Sequence, residues 1–426
     1  MKTALILTTA LFAINIQATT INNLFDAIKN QPSTKIDEIS SKMAKIAQKR
    51  VEAGYYPSAN LFATYTHYNS PTNLRPLDPL ATGALIAHNE PLGFAQTIQK
   101  IGISATIPLF IKELGSLSQR AKYLAKSAKL KKSLNFYQNE ALILGANATL
   151  QYLDNLLLSL KSTQNSLLKT KKDIKIAVES GRTPAIAIDK IDERLNQIDI
   201  SINSIEIKKA TLVSNIEDLT GIELKNPVKM KLVSKIKRGE IFALKPLQEL
   251  VKASLSDYKA TKQKRYYPKV ALNLMWSENY AQNDVNTKGS VNLGYGYYQL
   301  GVSMPLYNRG EDVDMQLKKI AIMKDKMKLK KSEQELKSEA KALQKSLILL
   351  EKSKKLKKLN IERRENLLKY AKVAYAQGSM TEEDYLVYED GVLSAKSSYF
   401  ETLSQSWQTL AKLAVIYGND LREIVE

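Results

Sequence analysis

Two stretches of the chain, Pro108 to Gly181 and Pro305 to Gly378, each run 73 residues from a proline to a glycine without an internal proline. Within the first, Ala146, Leu153, Leu160, Leu167 and Ile174 recur every seven residues. Within the second, Met315, Ile322, Leu329, Leu336, Leu343 and Leu350 do the same. A sustained seven-residue apolar repeat predicts helices that wind left-handedly around one another. At 1.5 Å per residue, such a stretch makes a helix of roughly 110 Å, longer than any ordinary globular core. The spacing therefore predicts coiled-coil arms. After Gly181, the residues Ile188, Ile191, Leu195, Ile198, Ile202 and Ile205 alternate three- and four-residue steps, predicting a returning helix over about 183–220.

The two arms belong to a larger repetition. Pro108 and Pro305 are 197 residues apart, as are Gly181 and Gly378, and Gly221 and Gly418. GYYP at 54–57 and RYYP at 265–268 are 211 apart, so the break in register falls between the YYP and PLF motifs. Shared offsets across a whole chain indicate internal duplication. The reading divides the chain into a leader (1–18), a first repeat (19–220), a connector (221–242) and a second repeat (243–426). Further helices are expected at about 243–266 and about 35–55.

The opening residues, MKTALILTTALFAINIQA, have the layout of a secretory signal peptide: an early lysine, an apolar middle and a small residue at the cut. A buried first helix is the competing reading. No later run is long and uncharged enough to span a bilayer as a helix, which needs about 20 residues. A membrane role then requires a closed β-barrel. The chain has no cysteine, which excludes disulfides, thiolate metal sites and a lipid-modified N-terminal cysteine. Its net charge of +20 comes from lysines spread through helical segments, with no aromatic stacking set or nucleic-acid module beside them. A solvated lysine-rich surface is the reading, and no nucleic-acid partner is expected.

After each YYP the period changes to two. Val270, Leu272, Leu274 and Trp276 share one face of a strand, and so do Ile101, Ile103, Ala105 and Ile107, and Leu300, Val302 and Met304. ANLFATYTHY supplies a fourth strand, less clean than the others. Each has about ten residues, the length of a tilted membrane strand. Trp276, Tyr65 and Tyr280 suit an interfacial aromatic girdle. A small soluble sheet is the alternative, but it would lack a second layer over its apolar side. Four strands cannot close a barrel, so the chain must oligomerise.

The doubled order helix–YYP–strand–loop–strand–PLF/PLY–long helix–Gly turn–helix resembles that of the TolC-type outer-membrane efflux proteins, over essentially the whole chain after the leader. The resemblance implies a mainly α fold with a membrane β-barrel part. A long α-helical coiled-coil barrel and four β-strands per protomer would close, as a homotrimer, into a 12-stranded barrel set in outer-membrane lipid. It implies that the arms cross the periplasm to a periplasmic adaptor (membrane fusion) protein and an inner-membrane pump or ABC exporter. By position, Gly181 and Arg182, and Gly378 and Ser379, fit the adaptor-docking turns. Tyr375 matches a tyrosine that holds the entrance closed, and Asp384 an aspartate lining the constriction, with Glu383 adding acid beside it. Three departures stand out: Ala187, Met380 and Val387 occupy positions where the family pattern has acidic, basic and acidic residues. The same TEED cluster (381–384) also reads as a plain helix start, with Thr381 as N-cap and acids in the first turn.

No nucleophile elbow, Walker loop or H-E-x-x-H is present. His67 and His88 have no partners at metal-ligand spacing, and GYG at 294–296 precedes no helix, so it reads as close strand packing. The expectation is a non-enzyme without metal or cofactor. It is a passive exit duct of a tripartite efflux or type I secretion system, in the outer membrane and extending into the periplasm. The competing expectation is a secreted periplasmic coiled-coil scaffold without a pore.

Overall fold

The computed structural model describes residues 20–426. The leader expectation lies outside the described residues. In chain order the elements are α1 (Ile21–Ala27), α2 (Pro32–Glu52), β1 (Ser58–Asn73), α3 (Pro79–Ala87), β2 (Phe94–Ile111), α4 (Lys112–Glu179), α5 (Ile186–Thr220), α6 (Lys245–Tyr266), β3 (Lys269–Ala281), β4 (Val291–Ser303), α7 (Arg309–Ala376) and α8 (Glu382–Tyr417). Both α4 and α7 are unbroken helices of 68 residues. No helix among the described residues is long and apolar enough to cross a membrane.

The chain forms two compact units. One comprises Ser40–Lys129 and Pro246–Lys330; the other comprises residues 20–39 with Leu130–Lys245 and Lys331–Glu426.

The first of these holds a four-stranded antiparallel sheet in the order β1-β2-β3-β4, with β1 and β4 as open edges. Because side chains alternate across a strand, the register sorts the sheet into two faces. On one, Ile107 lies beside Leu272 and Leu300, Ala105 beside Leu274 and Tyr298, and Ile103 beside Trp276 and Gly296. This band is uncovered: Trp276 is 53% exposed and Leu300 63%. The other face carries Ser104, Thr106, Asn273 and Gln299, and the Thr106 hydroxyl donates to Asn273 Oδ1 at 3.0 Å.

The strands are longer than the ten residues expected, at 16, 18, 13 and 13. Backbone pairing continues past the apolar band, where sequence alternation fades and only tertiary contacts hold register. The loop between β1 and β2 is confined to residues 74–93, and it contains α3. Tyr65 and Tyr280 flank Gln99 in one row at the end of the band. Trp276 instead sits within the band. Its indole covers Gly296, where an added Cβ would lie 3.0 Å from Trp276 Cδ1, so the GYG glycine is a strand-packing residue.

Beyond the strands the two loops are pinned together by Asp284, which is fully buried. Its carboxylate accepts the backbone N–H groups of Leu92 (3.3 Å), Gly93 (2.9 Å), Phe94 (3.2 Å), Asn286 (3.0 Å) and Thr287 (3.2 Å). Burial opposes its charge, but these donors outweigh burial and hold the carboxyl below its ordinary range.

In the other unit, α4 and α5 pack as the heptads require. Leu153, Leu160, Leu167 and Ile174 meet Ile191, Ile198 and Ile205, all buried. The interval 221–241 is an irregular belt that packs against α1, the middle of α4 and the residues after α8 in one core that includes Phe25, Ile143, Leu144, Ile216 and Leu421. It is laced to the last residues: Lys231 N donates to the Glu426 carbonyl at 2.7 Å, Val233 N to Ile424 at 2.8 Å, and Asn419 exchanges two bonds of 3.0 Å with Lys237. No sequence signal marks α1, whose seven residues are too few to show a period.

Candidate functional site

The two arm-ends are built alike. Gly181 (φ 69°) and Gly378 (φ 71°) both adopt the left-handed conformation that closes a helix most cheaply when no Cβ is present. In the first turn Arg182 N donates to the Ala177 carbonyl at 2.8 Å and Gly181 N to Val178 at 3.0 Å. In the second, Ser379 N donates to Ala374 at 3.0 Å and Gly378 N to Tyr375 at 3.0 Å. These crossed bonds satisfy the last helical carbonyls. The Ser379 hydroxyl adds a bond to the Ala374 carbonyl at 2.9 Å. An added Cβ at either glycine would meet nothing within 4 Å, so both turns stand free of their own chain.

After the second turn, Thr381 caps α8: its Oγ1 accepts the Asp384 N–H at 3.2 Å and donates to Asp384 Oδ2 at 2.6 Å. Thr381 and Asp384 thus form a helix-start box. Asp384 is exposed, as is Glu383, which pairs with Lys190 of α5 at 3.2 Å. Glu382 sits deeper; burial raises its carboxyl above the ordinary value, Lys190 pulls it back and Glu383 pushes it further up.

Tyr375 points elsewhere. Its ring stacks on Tyr385, with centroids 5.1 Å apart and planes 17° apart. Burial first, then the charges of Glu382 and Asp173, raise its hydroxyl. Tyr385 in turn donates to Glu389 Oε1 at 2.8 Å, and the Ser166 hydroxyl of α4 reaches the same oxygen. Burial and that bond push Tyr385 up to about 12. Arg194 of α5 also pairs with Asp390 of α8. The structure thus brings Glu383 to α5 and joins Tyr375 to a buried Tyr385–Glu389–Ser166 group, while Asp384 stays with Thr381. It does not gather Tyr375, Glu383 and Asp384 into one cluster.

Tyr385, Glu389 and Ser166 were missed from sequence. The signal was present: Tyr385, Glu389, Val392 and Ala395 step by four, three and three along the buried side of α8, so Glu389 occupies a seam position. Ala187 also lies in a seam, against α4, where an acid would be buried without a partner. Val387 is exposed and apolar. Among the described residues no group of three or more His, Cys, Asp or Glu could hold a metal ion.

No protein-family model and no curated protein matches the sequence. Solved structures do match. The outer membrane protein VceC of Vibrio cholerae is 13% identical, with a TM-score of 0.77, over 94% of this chain and 96% of that one. The Campylobacter jejuni CmeC outer membrane channel is 12% identical, with a TM-score of 0.75, over 93% and 85%. The Neisseria gonorrhoeae MtrE outer membrane channel, in its open state, is 12% identical, with a TM-score of 0.75, over 95% and 90%. Across nearly its full length, this chain has the fold of the outer-membrane channels to which it is similar.

Proposed function

We propose that the chain is one protomer of a homotrimeric outer-membrane exit duct, passively conducting substrates delivered by an inner-membrane pump or ABC exporter through a periplasmic adaptor. One observation carries the reading: an open four-stranded sheet presents an uncovered apolar band between unpaired edges, on a chain otherwise built of long helices. In lipid an open edge leaves backbone groups unsatisfied, so such a sheet is stable only when copies close it. Three copies give 12 strands. The similarity to outer-membrane channels supports the same reading, and energy for transport comes from the pump, so the duct itself is not an enzyme.

Within this reading the free turns at Gly181–Arg182 and Gly378–Ser379 are the adaptor-docking tips. The second hairpin, bearing Tyr375, Glu383 and Asp384, forms the gate. Three copies of Asp384 around one axis concentrate negative potential and favour cations. The test has two parts. The protein should fractionate with the outer membrane and run as a trimer; recovery as a soluble monomer overturns the duct in favour of a periplasmic scaffold. In planar bilayers Asp384→Asn should lower cation selectivity severalfold. Asparagine keeps the bond from the Thr381 hydroxyl, so unchanged selectivity removes Asp384 from the pore.

A further inference from the structure

Where the strands run into helices, the apolar band of the sheet ends in the row Phe110–Val270–Val302. Leu109 is the unpaired residue of a bulge beside Phe110, and both side chains are exposed. Just beyond them β2 passes into α4 at Lys112, and a cavity of about 410 Å³ opens against the start of that helix. This is an ordinary size for a small-molecule site. Leu109 and Phe110 line one side of it, and Tyr55, Lys112, Gln119 and Lys259 of α6 bring polar groups to it. Its wall is fixed, because the Ser116 hydroxyl of α4 donates to Gln263 Oε1 of α6 at 2.6 Å and both residues are buried.

The charge here is of one sign. Among the described residues no acid lines the cavity. Glu113, next to Lys112, is held by Lys269 at 2.6 Å, and Asp257, two residues before Lys259, by Lys318 at 2.7 Å. Among the described residues neither Lys112 nor Lys259 has an ion-pair partner, and the Tyr55 hydroxyl has no hydrogen-bond partner. Lys112 is steadied instead by the Tyr267 ring, with Nζ 5.9 Å from its centroid, close enough for a cation–π contact.

Two unpaired ammonium groups and an open hydroxyl beside exposed apolar side chains are complementary to a phosphate that carries acyl chains. We infer that this cavity binds the headgroup of an anionic glycerophospholipid. The phosphate lies on Lys112 and Lys259, Tyr55 donates to it, and an acyl chain follows Leu109 and Phe110 onto the band. In the proposed duct the band meets lipid, and the site depends on that reading. It adds a definite lipid, held at the edge of the band where the sheet gives way to helices.

Native mass spectrometry of the detergent-purified protein, titrated with phosphatidylglycerol, should show one lipid held per protomer. Phosphatidylcholine should bind roughly tenfold more weakly, as expected when two lysines meet an anionic headgroup. Lys112→Gln with Lys259→Gln should abolish the preference, and Lys112→Arg with Lys259→Arg should keep it. The thermal midpoint in phosphatidylcholine should be the same for parent and variants, which separates a lost site from a lost fold. If the glutamine pair lowers it, the exposed Lys259→Gln alone should still weaken the preference severalfold. Glycerol phosphate, a headgroup without tails, should not displace the lipid at equal concentration; displacement makes this a free-phosphate site and overturns the lipid. Equal binding of both lipids, or an unchanged preference in the glutamine variants, overturns the site and leaves an outer-membrane protein standing. Recovery as a soluble protein that takes up neither lipid overturns both.

Discussion

Glu140 shows how a single residue can tie stability to pH. It is fully enclosed, with Oε2 accepting the Leu421 N–H at 3.2 Å and Oε1 lying 3.4 Å from Arg422 Nε. Arg422 is shared with Asp420 and Asp26 and lies over the Phe136 ring. Burial first, then the Asp420 carboxylate, push Glu140 from 4.5 to about 8, against the pull of the Leu421 N–H and Arg422. The folded chain therefore holds a proton there that the unfolded chain releases near 4.5. Stability from this site is complete below that value and is lost as pH rises through about 8. Glu140→Gln keeps the shape and removes the titration. Thermal unfolding between pH 5.5 and 8.5 should show a falling Tm in the parent and a flatter profile in the variant. None of this was legible in the sequence, because Glu140 and Arg422 are 282 positions apart and meet only through the fold.

At the level of elements, the turn glycines and the belt glycines look alike in sequence but differ in what they tolerate. Gly378→Ala meets open space, so its cost is the left-handed backbone alone, about 1–2 kcal/mol. Gly418 is also left-handed, but an added Cβ would lie 2.4 Å from the Phe242 ring. Gly418→Ala should therefore cost clearly more, and Tm values for the two variants check the order. The arms, returning helices and both turns were legible because their signals are local: heptad spacing, a proline at one end, a glycine at the other. The start of α5 at Ile186 rather than about 183 follows from Pro184, which leaves the preceding residue outside the helix. The strand ends were not legible, since pairing beyond the apolar band depends on neighbours and on the Asp284 clamp. The acid cluster before Tyr385 was legible as a helix start, and the Thr381–Asp384 bonds agree. The Ser166–Glu389 link between hairpins was hidden by a separation of 223 positions.

For the molecule as a whole, the sheet's two faces make opposite demands. Ile103 lies in the apolar band and Ser104 on the other face. In the proposed barrel, Ile103→Arg places a charge toward lipid near mid-band and should cost about 2–4 kcal/mol. Ser104→Arg should change folding little. Denaturant titration of protein refolded into lipid vesicles separates them, and equal effects would mean the band does not face lipid.

The belt also bears on how the protein is made. Its core joins residues 21–28 to residues 421–425, the two ends of the described chain. A polypeptide threaded across a membrane from its N-terminus delivers Phe25 and Ile143 long before Leu421 and Ile424 arrive. Until then those side chains have no finished core, and chaperones and proteases of the receiving compartment can reach them. A chain cut short before residue 421 never leaves that state, so the belt registers whether synthesis has passed residue 425.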